Sequence, residues 1–368
     1  MLDLSAAEAI VDVKGAAEYA GLAYVSDEKP GIRRQPSGQG FRYETVQGGK
    51  PDAPALKRIK ALAIPPAWTD VWICPKANGH IQATGRDARG RKQYRYHARF
   101  REVRESTKYH HMLAFADSLP AIRAKVQEHL SLRSLTREKV LATVVHLLEA
   151  TLIRVGNDEY ARTNKSYGLT TLKNRHVEVE GSALKFNFRG KSKVWKLNVR
   201  DRRIAKVIRA CQDLPGQELF QYIDDEGESR EVTSSDVNTY LREISGEDIT
   251  AKDFRTWHGT VLAAMALQEF EKFDSQAGAK RNIRDAIQKV AARLGNTPTI
   301  CRKCYVHPEI ITTYIEGSLL LEVKDKVETE LRDDLASLKP EEAAVLTLLR
   351  NRLNLTLKDK LETSLKAV

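Results

Sequence analysis

The chain has 368 residues, of which 42% are hydrophobic, so it can bury two or three cores and is too apolar to be disordered. Lysine and arginine number 60 against 49 aspartates and glutamates, and the net charge of +11 indicates a polyanionic partner, nucleic acid before a membrane. No apolar run approaches the ~18 residues of a membrane span. Residues 1–20 mix charged with apolar side chains, unlike a signal peptide.

Residues 1–103 predict a small β-rich domain, because glycine and proline turns separate short apolar and β-branched runs. The predicted elements are strands at Leu22–Val25, Phe41–Val46, Val71–Cys74 and His80–Thr84 and a helix at Ala53–Leu62. The segment Gly85–His97 then combines arginine, glycine and tyrosine. In a strand, Gln93 and Arg95 would face one side and Tyr94 and Tyr96 the other, a surface able to contact phosphates and base edges. A solvated edge strand with its tyrosines packed inward is the alternative.

Residues 104–322 predict a mostly helical domain, and residues 323–368 predict a charged helical extension with a break at Pro340. Apolar residues at helical spacing mark Tyr109–Leu119, Ala121–Leu130, Arg137–Leu152, Arg203–Cys211, Ser234–Ile244, Lys252–Phe270, Ala279–Leu294 and Glu309–Leu321. Alternating runs at Val177–Val179, Ala183–Phe188 and Val194–Val199 predict a three-stranded antiparallel sheet. The fold class is therefore α+β.

Tyr305 is the candidate nucleophile, because it lies in a basic stretch beside Arg302 and Lys303. A phenol, with a pKa of ~10, attacks poorly unless nearby cations favour its anion. A phosphodiester needs the same cations to offset its developing charge. The pattern therefore favours phosphoryl transfer, and a half-buried packing tyrosine is the plainer interpretation.

Two further cations lie at turns. Arg154 ends an apolar helix just before Gly156 and Asn157, where an arginine is either on the surface or buried with an anionic partner. Lys191 lies in the turn between the last two strands. A lysine there can reach into a groove and carry a proton, or it can point into solvent.

Lys252 and Arg255 lie three residues apart near the start of a helix, where positive charge opposes the helix dipole. That placement indicates that an anion binds there, and a solvated basic helix start is the alternative. Farther along, Gly295 can end a helix in a left-handed cap, after which Asn296 begins a turn into a helix at Pro298.

Cysteine spacing does not predict a metal site. Cys301 and Cys304 have the spacing of a ligand pair, but only Cys74 and Cys211 could complete the set, and neither has a paired neighbour. Four scattered cysteines are also too few for a disulfide scaffold. We therefore expect no metal, small core cysteines and a reducing cytoplasm.

Together these residues resemble the active site of type IB DNA topoisomerases, most closely the small branch of poxviruses and bacteria, over about residues 20–320. The segments that carry the resemblance occur in family order: Gly90–Tyr96, Arg154–Asn157, Gly190–Lys191, Lys252–Thr256, and Leu294–Pro298 leading to Tyr305. Each segment alone is weak, whereas five in the family's order are specific.

The resemblance implies a tyrosine-recombinase-like helical catalytic domain and a defined chemistry. Tyr305 would attack a DNA phosphodiester, form a 3′-phosphotyrosyl bond and release a 5′-hydroxyl, without ATP or metal. Arg154 and Arg255 would bind the non-bridging oxygens, and Lys191, or by the family's pattern Arg154, would protonate the leaving oxygen. Relaxation of supercoils would follow from swivelling of the broken strand before religation.

The resemblance also implies a substrate and a binding mode. A monomer associated with the nucleoid would clamp double-stranded DNA, with the N-terminal domain on one face and the helical domain on the other. The residues matching DNA contacts are Arg91, Gln93, Tyr94, Tyr96 and Lys252. Viral members carry a histidine where this chain has Asn296, which can donate a hydrogen bond but cannot transfer a proton. We therefore assign Asn296 to phosphate stabilisation alone.

Two other functions stay open at this point. A tyrosine recombinase or integrase shares the chemistry and a final segment like the one from Leu294 to Tyr305. Such enzymes usually begin with a helical domain, whereas this chain begins with a β-rich domain. A non-catalytic basic DNA-binding protein would explain the charge and the aromatic strand. Relaxation of a plasmid that has no second recombination site would favour a topoisomerase over a recombinase. Trapping of a covalent protein–DNA adduct would exclude a non-catalytic binding protein.

Overall fold

The computed structural model describes residues 13–352 except 39, 89, 192, 271, 272, 274 and 320–337, and for residues 105–110 only the backbone. The chain divides into two compact units, Met1–His111 and Met112–Val368. The boundaries expected after residues 103 and 322 stay predictions. Among the described helices, none combines the length and apolarity needed to cross a membrane.

The N-terminal unit is built on a five-stranded antiparallel sheet, as the β-rich composition predicted. Its strands have the order β2-β1-β3-β4-β5. They are β1 (Ile32–Ser37), β2 (Gly40–Glu44), β3 (Thr69–Ile73), β4 (Ile81–Arg86) and β5 (Lys92–Tyr96), with helices α1 (Val13–Tyr19) and α2 (Ala53–Ala61). The predicted strand Leu22–Val25 is wrong, since only an isolated bridge from Ala23 to Gly79 forms there.

Helix α2 closes one face of this sheet. The Asp52 side chain accepts a hydrogen bond from the Ala55 amide at 2.8 Å and so caps the helix. The buried core comprises Ile32, Ile59, Val71, Ile73 and Ala83. Strand β5 is an edge strand, and its Tyr94 and Tyr96 are exposed.

The second unit is mostly helical, as predicted. Its helices are α3 (Ala98–Leu130, beginning in the first unit), α4 (Arg137–Thr151), α5 (Asp158–Asn164), α6 (Arg202–Gln212), α7 (Ser234–Ser245), α8 (Ala251–Gln268), α9 (Gln276–Leu294), α10 (Pro298–Tyr305) and α11 (Pro308–Ile315). The helix predicted at Glu309–Leu321 ends earlier than expected, at Ile315, because Glu316 caps it and Gly317 turns the chain with a φ of 74°. Leu321 and most of the predicted extension lie outside the described residues. Residues 340–352 of that extension are helical.

A single helix, α3, replaces the two helices that the sequence pattern predicted on either side of Pro120. Proline removes one backbone hydrogen-bond donor and normally bends or breaks a helix. Here the apolar face continues across it, because Leu119 and Ile122 are both buried. Packing of that face therefore outweighs the local cost of the proline.

The three predicted strands form the antiparallel sheet β6 (Val177–Glu180), β7 (Ala183–Arg189) and β8 (Val194–Arg200) in sequence order. A further hairpin, β9 (Gln221–Ile223) with β10 (Ser229–Glu231), was not predicted. Helix α4 lies in the core with most of its side chains buried. The ends of α4, α9 and α10 converge on α8, and this convergence places the candidate site.

Candidate active site

Tyr305 is the last residue of α10. Thr297 caps the helix, since its hydroxyl accepts from the Ile300 amide at 3.4 Å, and Pro298 follows in the first turn. At the other end, the Tyr305 carbonyl accepts from the Thr260 hydroxyl at 3.3 Å. A Cβ added to Gly259 would lie 2.6 Å from that same carbonyl oxygen. Helix α8 thus holds the backbone of the candidate nucleophile at close range.

Arg255 lies beneath the phenol ring of Tyr305. Its side chain is buried, with 3% exposure, and its guanidinium carbon lies 5.1 Å from the centre of the ring. One terminal nitrogen donates to the Leu152 carbonyl, and the other donates to the Leu294 carbonyl at 2.8 Å. The arginine therefore binds the C-terminal ends of both α4 and α9.

Arg154 and Asn296 meet beside Arg255. Helix α4 ends at Leu152 in a left-handed conformation, with φ of 58°, and this turns the chain toward Arg154. The Arg154 guanidinium donates to the Asn296 side-chain oxygen and, at 3.4 Å, to the Gly295 carbonyl. Gly295 has a φ of 62° and ends α9, so the predicted left-handed cap is confirmed.

The loop that carries Arg154 is fixed by backbone contacts. The Leu169 amide donates to the Arg154 carbonyl at 2.9 Å, and the Thr170 amide donates to the Val155 carbonyl at 2.7 Å. Gly156 has a φ of 127°, and a Cβ there would lie 2.5 Å from the Thr170 hydroxyl oxygen. Only glycine fits this position, and the turn predicted here is thereby explained.

The site carries excess positive charge and unused donors. Burial, together with the adjacent Arg154, lowers the pKa of Arg255, and Tyr305 opposes that shift. The Nε of Arg255 and the Nδ2 of Asn296 are buried and have no hydrogen-bond partner among the described residues. Unpartnered buried donors are costly, so this arrangement suits an anion with several oxygens.

Lys191 and Lys252 lie apart from these four residues. The Lys191 ammonium lies 5.3 Å from the centre of the Tyr160 ring. Lys252 is exposed in the first turn of α8, where Asp253 closes a capping box with Thr250. Among the described residues, no hydrogen bond or ion pair joins either lysine to Arg154, Arg255, Asn296 or Tyr305. The structure thus brings together four of the five predicted catalytic residues.

The candidate DNA-binding residues of the N-terminal unit lie on and beside β5. The Tyr94 and Tyr96 rings stack with centres 5.7 Å apart on the exposed face. On the opposite face, Gln93 donates to the Asp87 carboxylate at 2.9 Å, and Arg91 pairs with the same carboxylate at 2.7 Å. The predicted alternation of the strand is confirmed, and Asp87 orients both polar side chains.

Sequence reasoning missed four residues that contact Tyr305 or the end of α9: Gly259, Thr260, Lys193 and Trp195. A lone glycine in a buried helix such as α8 is a sequence signal of close packing, and could have drawn attention to Gly259. The contacts of the other residues join segments that are distant in sequence, and no local pattern indicates them.

A second polar cluster includes His258 of α8 and is separate from the candidate active site. In this cluster, a carboxylate oxygen of Glu149, a ring nitrogen of His258 and a carboxylate oxygen of Glu342 lie within 4.8 Å of one another, close enough to bind one metal ion. Arg123 donates to both carboxylates, at 2.6 Å to Glu149 and 2.8 Å to Glu342. A guanidinium already offsets these carboxylates, so we interpret the cluster as a buried ion-pair network rather than a metal site.

Comparisons with known proteins agree across both units. A family model of the eukaryotic DNA topoisomerase I catalytic core matches residues 97–332, and a model of the bacterial DNA topoisomerase IB N-terminal domain matches residues 40–87. DNA topoisomerase 1B of Acanthamoeba polyphaga mimivirus is 33% identical over 293 residues, 76% of this chain and 87% of the relative. DNA topoisomerase 1B of Vaccinia virus (strain Copenhagen) is 23% identical over 267 residues, 71% of this chain and 82% of the relative. DNA topoisomerase I of Monkeypox virus is 24% identical with the same coverage.

Proposed function

Because the chain belongs to the type IB DNA topoisomerase family, we propose that it relaxes supercoiled double-stranded DNA through a covalent 3′-phosphotyrosyl bond to Tyr305. The observation that carries the proposal is the convergence of two guanidiniums and the Asn296 amide around one half-buried phenol. Among the described residues, the Nε of Arg255 and the Nδ2 of Asn296 are buried there without a hydrogen-bond partner. The reaction needs neither ATP nor a metal ion.

In the cleavage step, the Tyr305 oxygen attacks the phosphorus, loses its proton to solvent, and displaces the 5′-oxygen of the next nucleotide. The new P–O bond to tyrosine replaces the broken P–O bond, so its energy is kept for religation. Arg154, Arg255 and the Asn296 amide stabilise the charge that grows on the non-bridging oxygens. Loss of one such donor typically costs about 10²–10³ in rate.

Lys191 gives its proton to the leaving 5′-oxygen and recovers it during religation. Proton donation of this kind contributes about 10²–10⁴ in rate. The Lys191 ammonium lies 5.3 Å from the centre of the Tyr160 ring, and in our proposal it moves from there to the leaving oxygen. Lys252 is exposed in the first turn of α8 and supports the same phosphate from outside the buried cluster.

Duplex binding uses the basic surface of a monomer. The net charge of +11 favours DNA, and the stacked Tyr94 and Tyr96 with Arg91 and Gln93 offer groups for base edges and phosphates. Binding should weaken steeply with salt as counterions are released. Fluorescence titrations of a labelled duplex at 50 and at 200 mM salt measure this dependence, and we expect the affinity to fall about 10³-fold between them. We further propose that the enzyme acts in the cytoplasm, at the nucleoid.

Substitution of the nucleophile tests the proposal. Tyr305→Phe removes one oxygen and should abolish both plasmid relaxation and the covalent adduct on a denaturing gel, while duplex binding persists. Tyr314→Phe is the matched control, because the Tyr314 hydroxyl bonds to Asn282 at 2.7 Å outside the site. Full relaxation by Tyr305→Phe would refute the assignment.

A further inference from the structure

The turn between β7 and β8 lies against the C-terminal end of α9. The Lys193 ammonium donates to the Ala292 carbonyl at 2.8 Å and lies 4.2 Å from the centre of the Trp195 ring. Ala292 is in the last turn of α9, where a cation is favoured by the helix dipole. Lys193 therefore fastens the hairpin to the helix that leads into Asn296.

Two glycines show how closely the hairpin and α9 approach. A Cβ at Gly190 would lie 2.6 Å from the Trp195 ring, and a Cβ at Gly295 would lie 2.9 Å from the same ring. Gly295 would also approach the Lys193 side chain to 3.2 Å. The indole thus contacts the residue before Lys191 on one side and the residue before Asn296 on the other.

Lys191 itself has little to hold it. It is exposed, and its described contact is the Tyr160 ring at 5.3 Å. Holding a lysine side chain in one conformation costs side-chain entropy. A proton donor at the tip of a hairpin is effective only if the backbone beneath it is already in place, because proximity is a large part of such catalysis.

We propose that Lys193 is a positioning residue, which anchors the hairpin to α9 and so brings Lys191 to the leaving 5′-oxygen. The inference rests on the proposed function, in which Lys191 is the proton donor. The hydrogen bond to the Ala292 carbonyl uses one of the three N–H groups of Lys193, so the test must separate anchoring from direct proton donation by this lysine. The hairpin and the Asn296 loop then move as one body with respect to the phosphate.

The chemistry of the leaving group provides the test. In a duplex whose 5′-bridging oxygen is replaced by sulfur, the leaving thiolate needs no proton, so a defect in proton donation disappears. The duplex carries a cleavage site mapped first with the wild-type enzyme. Single-turnover formation of the covalent adduct is then measured for Lys191→Ala, Lys193→Ala and the double variant, on both the oxygen and the sulfur substrate.

We expect Lys193→Ala to slow cleavage of the oxygen substrate about tenfold, the size of one charge-assisted hydrogen bond plus a cation–π contact. The sulfur substrate should restore its rate, and Lys193→Ala should add nothing in the Lys191→Ala background. Lys193→Arg keeps a donor for the Ala292 carbonyl but is a poor acid, so it should retain most activity. The control Lys185→Ala removes an exposed lysine of the same sheet, paired with Glu180, and should cleave normally.

The outcomes separate the two claims. If the sulfur substrate rescues Lys191→Ala but not Lys193→Ala, or if the two losses multiply, the positioning role is refuted while the proposed function stands. If Lys191→Ala itself is not rescued, Lys191 is not the proton donor and both claims fall. Loss of activity in Lys193→Arg would also overturn the anchoring role, since it would require the lysine itself as the acid.

Discussion

Gly259→Ala is the substitution whose effect the structure determines most directly. The added methyl carbon would lie 2.6 Å from the Tyr305 carbonyl oxygen and 3.2 Å from the Tyr305 Cβ, whereas ordinary contact begins near 3.4 Å. The obstacle is backbone, so it cannot turn aside as a flexible side chain would. To restore contact from 2.6 to 3.4 Å, the end of α10 has to recede from α8 by up to about 0.8 Å.

A shift of this size should affect catalysis far more than stability. Misplacing a reacting group by about 1 Å can cost about 10²-fold in rate, so we expect cleavage to slow by about 10- to 100-fold. The helix gains about 1 kcal/mol when alanine replaces glycine, against about 1–3 kcal/mol for overpacking. The net change in the free energy of unfolding should therefore stay within about 2 kcal/mol, and the variant should fold.

The assay is single-turnover formation of the covalent adduct, with duplex affinity measured in parallel. Gly278→Ala, in the first turn of helix α9, is the matched control, because a Cβ there meets Phe273 and Ser275 at an ordinary 3.4 Å. Gly278→Ala should cleave at the wild-type rate, and both variants should bind DNA normally. If Gly259→Ala cleaved within twofold of wild type, the close approach of α8 would not set the position of Tyr305.

Three further predictions concern the site and its support. Asn296→Ala removes a phosphate donor and the acceptor of Arg154, so adduct formation should slow about 10²–10³-fold, while Asn296→His should keep most activity; equal rates for the two variants would contradict this. Glu342→Gln should lower the free energy of unfolding in urea by about 1–3 kcal/mol, because Arg123 loses a buried anionic partner, whereas an unchanged midpoint would show that the ion pair is dispensable. The melting temperature should fall as the pH is lowered from 7.5 to 5.5, and a flat profile would show that neutral imidazoles do not contribute to stability.

The pH prediction depends on buried and half-buried histidines whose neutral form the fold favours. Burial lowers the pKa of His80, His97, His146, His176 and His258. In the unfolded chain these groups take up protons near pH 6.5, so the unfolded state binds more protons below that pH. Stability contributed by the neutral imidazoles is therefore present above about pH 6.5 and is lost as the pH falls through the lowered values. His258 faces three charged groups: Glu149 and Glu342 raise its pKa and Lys339 lowers it, so the carboxylates reduce the contribution of His258 to this pH dependence.

The sequence predicted the elements that carry the site better than the contacts that assemble it. The cap at Gly295 and the helix start at Pro298 follow from local backbone chemistry, which sequence records directly. Strand β1 was missed because its Arg33, Arg34 and Gln35 lack the apolar alternation of a half-buried strand. Its place in the sheet is set by pairing with neighbours on both sides, which no local pattern encodes.

The four residues at the centre were predictable in type but not in arrangement, and Arg255 shows why. Its terminal nitrogens bind the carbonyls of Leu152 and Leu294, which lie 103 and 39 residues away in sequence. Every residue has a backbone carbonyl, so the side chains at positions 152 and 294 do not show that their carbonyls bind a buried arginine.

Those two carbonyls are also what make Arg255 more than a source of charge. Leu152 lies two residues before Arg154, and Leu294 lies two residues before Asn296. By binding both helix ends beneath the ring of Tyr305, one guanidinium sets the positions of the other three groups. An arginine has five N–H donors in a rigid plane, so two can serve the helix ends while Nε and the remaining N–H groups stay available for phosphate. A lysine would supply the same charge but could not span both carbonyls and an oxyanion together, and for this reason the position requires a planar cation.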